Sequence, residues 1–215
     1  MVWTARLILG ALCFFSLTLL LLRWVDPWFT GVQLQRRAEA LFRREKYVKR
    51  HQFVPLSRIS QALQHAVIAA EDGRFFQHHG IDWQELGKVV EEDLEEGRIG
   101  RGASTITQQL MKNLYTTTHR SWWRKGLEFA LAPLAELILP KRRILELYLN
   151  VIEWGPGVFG AEAAARYHYG VGAARVGREQ AARLAACIPS PRRRKPQRMN
   201  AYSAEILSRM DKMGW

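Results

Sequence analysis

Residues 59–80 read ISQALQHAVIAAEDGRFFQHHG, and they decide the fold class. Ile59, Leu63, Val67 and Ala70 recur at three- and four-residue steps, which is one face of a helix rather than the alternation of a half-buried strand. The apolar run ends on Glu71, and Asp72, Gly73, Phe75, Phe76, His78 and His79 follow closely. A carboxylate beside aromatic rings is partly desolvated, which raises its pKa toward the range where it can take a proton from a sugar hydroxyl. An acidic turn that merely ends a helix is the plainer reading of the same residues. His78 and His79 lack further His or Cys at ligand spacing, so zinc is not supported and both read as structural.

The helical spacing continues downstream. Asp82, with Glu85 three residues on, predicts a helix start, and Gly97 its stop. Further helices are expected from Ser104 and from Ser121 to about Leu139, with a kink at Pro133. Pro140 then opens KRRILELYLN (141–150), which sets Ile144, Leu147 and Tyr148 on one face. Helical patterns follow over 159–169, 177–187 and 201–213, and EWGPG (153–157) reads as a turn. The body, residues 51–215, is therefore expected to be mainly α.

Two further stretches carry candidate chemistry. GRIGRGASTITQQLMKN (97–113) joins a glycine-rich lead to hydroxyls at Ser104 and Thr105 and then to Gln108, Gln109, Lys112 and Asn113. Free amides at a helix start plus a lysine one or two turns on suit a diphosphate, although the spacing is not that of a P-loop. A polar helix face explains the pattern equally well. Arg124, Lys125 and Glu128 fall within about one helical turn, either as a surface ion pair or as cations for phosphate with an acid among them. Trp122 and Trp123 just upstream suit a membrane interface or ordinary packing.

The amino terminus places the chain. LILGALCFFSLTLLLL (7–22) carries no charge and is flanked by Trp3, Trp24 and Trp28. Sixteen residues fall short of a full span, but Arg6 and Arg23 can snorkel, so residues 1–26 are expected to form an uncleaved anchor. The rival is a cleaved signal peptide, yet RWVDPWF (23–29) offers no small-x-small site. Residues 27–50 form a basic juxtamembrane linker in which LQRRAEALFRREKYVKR (34–50) outweighs the charge before the helix. The positive-inside rule would then keep the body in the cytoplasm, a tendency that weakens before long translocated domains. The same run could lie against anionic lipid. A formal charge of +12 attracts polyanions without choosing among nucleic acid, lipid and phosphorylated substrate. Two cysteines, Cys13 and Cys187, exclude a disulfide framework.

EDGRFFQHHG (71–80), GASTITQQLMKN (102–113), RKGLE (124–128) and KRRILELYLN, in this order and spacing, resemble the motifs of the peptidoglycan glycosyltransferase family over roughly residues 65–190. NVIEWGPGVFGAEAAARYHYG (150–170), with no following transpeptidase, is more narrowly similar to the monofunctional biosynthetic transglycosylases. The resemblance implies a lysozyme-like glycosyltransferase domain with a small membrane-associated lobe, outside the inner membrane. It implies polymerisation of lipid II into β-1,4-linked glycan with release of undecaprenyl diphosphate. Carried over residue by residue, Glu71 takes the place of the general base and Glu128 that of the second glutamate, near the leaving diphosphate. Lys112, Arg124 and Lys125 fall where the family holds diphosphate oxygens, with Asp72, Ser104, Thr105, Gln109 and Asn113 as neighbours. Phe75 and His78 look like shaping residues.

The same resemblance implies no tightly bound cofactor and no protein-held metal, while allowing Mg or Mn on the substrate diphosphate. Its implied partners are lipid II, the growing lipid-linked strand, membrane lipid and proteins of cell-wall synthesis or division, with no nucleic acid. Two departures stand out: the turn lacks the tyrosine common in two-domain relatives, and the tail PSPRRRKPQRMN (189–200) is unusually basic. The rivals are a glycan-cleaving lysozyme-like enzyme, which does not need Lys112, Arg124 and Lys125 together, and a basic membrane scaffold, which leaves the motif string unexplained.

Overall fold

A computed structural model describes residues 2–96, 103–119 and 121–215. Among them are ten α-helices: α1 (Val2–Leu22), α2 (Gly31–Arg43), α3 (Gln61–Glu71), α4 (Trp83–Glu96), α5 (Ile106–Tyr115), α6 (Trp122–Ile138), α7 (Lys141–Val151), α8 (Ala161–Tyr169), α9 (Arg178–Ala185) and α10 (Asn200–Lys212). The mainly α expectation holds.

Local chemistry sets the boundaries. Ser60 Oγ accepts from Leu63 N at 3.2 Å and starts α3, which buries Leu63, Ala66, Val67, Ile68 and Ala69. Asp82 Oδ1 accepts from the backbone amides of Gln84 and Glu85, so the expected cap of α4 is present. Gly97, its expected stop, and the glycine-rich lead up to Gly102 lie outside the described residues. The helix expected from Ser104 begins one residue later, because Thr105 and Gln108 form a reciprocal capping box. Pro133 lies inside α6, and Pro140 immediately precedes α7, whose Ile144, Leu147 and Tyr148 are all fully buried.

Two elements differ from expectation. EWGPG is not a bare turn: β2 (Glu153–Gly155) and β3 (Val158–Phe159) pair antiparallel, and β1 (Arg50–His51) joins β3 in parallel. Strands of two and three residues are too short for alternation to show in sequence. Within the stretch 27–50, α2 is capped by Thr30 and buries Val32, Gln33 and Ala40. It packs on α5, and a Cβ at Gly31 would lie 2.4 Å from Thr116 O, so only glycine permits that approach.

The core joins α3 to α9 and α10 on one side, and α5 to α6 and α7 on the other. Trp154, Tyr148, Phe75 and Phe159 are the largest fully buried side chains. Helix α1 is long and apolar enough to cross a membrane, and its outer surface is largely exposed. Its carboxyl-terminal part is docked on the body. Leu19 is fully buried, and Thr18 Oγ1 lies 2.9 Å from Tyr115 Oη. Arg143 donates to Leu22 O at 2.8 Å and to Val25 O at 3.1 Å, while Arg23 donates to Ile138 O at 3.1 Å.

Candidate active site

Three helix ends and turns deliver the site. Helix α3 stops at Glu71 because Asp72 leaves helical geometry (φ −162°, ψ 72°), and Glu71 lines a cleft of about 1220 Å³. Asp72 turns inward instead. Its Oδ2 accepts from Ile106 N at 2.9 Å, at the start of α5, and its Oδ1 lies 3.0 Å from His78 Nε2. Gly80 closes the same loop at φ +90°, where a Cβ would meet Ala132 backbone at 2.7 Å, and its carbonyl accepts from Thr105 Oγ1 at 2.6 Å. The turn after Glu71, the α5 cap and the middle of α6 are thus fastened to one another.

The same cleft holds the cations. Lys112 projects from α5, one turn beyond Gln109, and Arg124 and Lys125 from the first turn of α6. Glu128, which is buried, bonds Arg124 and lies 3.5 Å from Lys125 Nζ. Lys125 also donates to Ser104 Oγ at 2.7 Å. Burial lowers the pKa of both lysines, and Glu128 opposes that shift by favouring their charged forms. Arg124 Nε is buried and has no hydrogen-bond partner among the described residues.

Glu71 is held differently. Burial pushes its carboxyl up, while the 2.7 Å hydrogen bond from Gln109 Nε2 and the charges of Lys112 and Arg194 pull it back, and Asp72 pushes it up further. A carboxyl raised in this way can hold a proton it has just received.

The transglycosylase family model matches residues 38–213. The chain belongs to the transglycosylase family. It is 43% identical to the biosynthetic peptidoglycan transglycosylase of Dechloromonas aromatica over 97% of this chain and 95% of that one. The proteins of the same name from Bordetella pertussis and Nitrosospira multiformis are 46% identical (86% of this chain, 80% of theirs) and 51% identical (74% and 70%) respectively. This transglycosylase is a glycosyltransferase with a lysozyme-like fold.

Glu71, Asp72, Ser104, Thr105, Gln109, Lys112, Arg124, Lys125 and Glu128 all line the transglycosylase's main cleft. Asn113 lines a second cleft of about 910 Å³ that shares Gln109, Lys112 and Arg124 with the first. Phe75 and His78 line neither. Phe75 is fully buried beneath the Lys141 ammonium, 4.3 Å from its ring centre, and His78 is buried against Asp72.

Several residues of the transglycosylase's clefts went unread in the sequence. Tyr202, Arg209 and Lys212 of α10 line the first, and Arg36, Arg43, Arg192 and Arg193 line the second. Arg36 and Arg43 sat in what looked like linker charge, and Arg192 and Arg193 in what looked like a tail. Tyr148 was read as packing. Its hydroxyl donates to Gln109 Oε1 at 2.8 Å, and the sequence signal was only that a buried tyrosine needs a polar partner.

Asp72, His78 and Asp82 bring ligand-type atoms within 4.8 Å of one another. Their oxygens are already committed to Ile106 N, His78, Arg74 and the α4 amides, so the trio braces the loop and does not fit the role of an ion cage.

Proposed function

We propose that this transglycosylase polymerises lipid II into β-1,4-linked glycan strands and releases undecaprenyl diphosphate. The observation that carries this reading is that one cleft holds both a desolvated carboxylate, Glu71, and the cation group Lys112, Arg124 and Lys125. Glu71 removes the proton from the acceptor hydroxyl as its oxygen attacks the anomeric carbon of the donor. The bond from that carbon to the diphosphate oxygen breaks on the opposite face, so configuration inverts. The departing charge develops against Lys112, Arg124 and Lys125, with Glu128 holding the last two in place. A diphosphate held by cations leaves without strong proton donation, which accounts for one base and no dedicated acid. Any divalent cation would travel on the substrate's own phosphates, and no step is assigned to it.

Membrane geometry supports a lipid-linked substrate. Phe15 packs on Tyr115 with ring centres 5.2 Å apart, seven residues before Leu22. At ~1.5 Å rise per residue, that contact lies about 10 Å deeper than the end of the helix. Trp122 and Trp123 are almost wholly and largely exposed, respectively, at the start of the helix that carries Arg124 and Lys125. A single anchor in the inner membrane with the body on its outer face fits this arrangement. Arg36, part of the basic run that argued otherwise, is tied into the folded body through Glu153 at 2.9 Å. Partners on this reading are lipid II, the lipid-linked strand, bilayer lipid and proteins of cell-wall synthesis or division.

The test is to incubate the purified chain separately with lipid II and with finished glycan. Polymer from lipid II and no cleavage of the strand is expected. Cleavage without polymer would overturn the proposal in favour of a lysozyme-like hydrolase or lyase.

A further inference from the structure

Tyr148 sits on α7, fully buried and behind the cleft wall rather than in it. Its hydroxyl donates to Gln109 Oε1 at 2.8 Å, and Gln109 Nε2 donates to Glu71 Oε2 at 2.7 Å. The three groups form one chain running from the core to the cleft. Its direction is fixed by what each end can do: an ionised carboxylate only accepts, so the amide must face Glu71 with its nitrogen. That leaves the amide oxygen pointing into the core, where it needs a donor, and Tyr148 supplies one. A flipped amide would set oxygen against carboxylate.

We infer that Tyr148 is a positioning residue for the base, locking the Gln109 amide in the orientation that donates to Glu71 and favours its ionised form. The inference rests on the reading of Glu71 as general base. A donor at the far end of the amide polarises it and strengthens its other hydrogen bond. Tyr148 can serve throughout the working pH range, because burial, followed by the nearby carboxylates Glu71 and Asp72, holds its hydroxyl well above the ordinary tyrosine value. The other groups that act on Glu71 are Lys112 from α5, Arg194 from the turn after α9, and Asp72 beside it, and Tyr202 faces it from α10. All of them stay in place when only the Tyr148 hydroxyl is removed.

The experiment uses the full chain in detergent, with Tyr148→Phe, Gln109→Leu and the double variant. Two quantities are read against pH: lipid II polymerisation, and carbodiimide labelling of Glu71 followed by mass spectrometry. Labelling reports ionisation of Glu71 whether or not it is the base. With Tyr148→Phe, the labelling midpoint should move to higher pH, and kcat at the acidic end should fall about threefold to tenfold with KM little changed. In the Gln109→Leu background, Tyr148→Phe should add nothing further. A fluorinated tyrosine at position 148, a stronger donor of nearly the same shape, should move the midpoint the other way and guards against a folding defect in the phenylalanine variant. An unmoved midpoint, or an equal shift with and without Gln109, overturns the inference. Failure of the base assignment would show separately, as undiminished polymerisation by Glu71→Gln.

Discussion

Asp72 and Ile106 are joined by a 2.9 Å hydrogen bond in which a buried carboxylate oxygen accepts from the first backbone amide of α5. This bond ties the turn that carries Glu71 to the helix that carries Gln109 and Lys112, so the two sides of the chemistry share one brace. An anion at a helix start is also favoured by the helix dipole.

Asp72→Ala should therefore be costly although the proposed base is Glu71. It strands the Ile106 amide and His78 in a buried site, and about 3 kcal/mol of stability is expected to be lost. Asp72→Asn keeps an acceptor and should lose less than half of that. Thermal melts in detergent read the difference, and equal losses in both variants would remove the brace from the account.

Burial raises the Glu71 pKa, so the folded protein binds that proton more tightly than the unfolded chain does. Its contribution to stability is thus fully present below the ordinary carboxylate value and is lost as pH rises through the folded value. Glu71→Gln carries no ionisable group and should melt at higher temperature than wild type at neutral pH, with the gap closing toward about pH 4. Polymerisation by wild type should rise with pH over the same window. A Glu71→Gln protein less stable than wild type at neutral pH would contradict the desolvated carboxyl.

Removing a cation proposed to hold the leaving group should act on turnover. Lys112→Ala and Arg124→Ala are each expected to lower kcat by about a hundredfold or more. Arg124→Lys should recover little, since an ammonium lacks the planar, multi-donor guanidinium that bonds Glu128. Steady-state kinetics with lipid II would show this, and a change confined to KM would mean that these cations bind substrate without stabilising its departure.

Docking of α1 draws on Arg143, which donates to Leu22 O and Val25 O and pairs with Asp26 at 2.9 Å. Arg143→Met should loosen the junction by about 1–2 kcal/mol. Protease sensitivity at residues 23–30 in reconstituted vesicles should rise while the catalytic body stays folded. An unchanged cleavage pattern would mean that the junction is held without Arg143, by the apolar contacts and the bonds of Thr18 and Arg23.

The helical body was legible because its cues are local. Ile59, Leu63 and Val67 repeat at helical spacing, Asp82 caps α4, and Pro140 opens α7. The one-residue error at the start of α5 arose because Ser104 and Thr105 are both good caps, and only Thr105 is answered by Gln108. The three-stranded sheet escaped because its strands are two or three residues long. In the site, the motif residues Glu71, Lys112, Arg124, Lys125 and Glu128 line one cleft. The residues that support them could not be read from the sequence: Tyr148 looks like any apolar-face aromatic until α7 is laid against α5. The basic residues Arg36 and Arg192 acquire a cleft only when chain segments far apart in sequence come together.

The most direct measurement is polymerisation of lipid II by wild type and Glu71→Gln side by side, at equal protein and confirmed folding. Wild type should yield glycan polymer, and the variant should fall by about a hundredfold to ten-thousandfold with the cation wall intact. A Glu71→Gln protein that polymerises at the wild-type rate would place the base elsewhere and contradict the account at its centre.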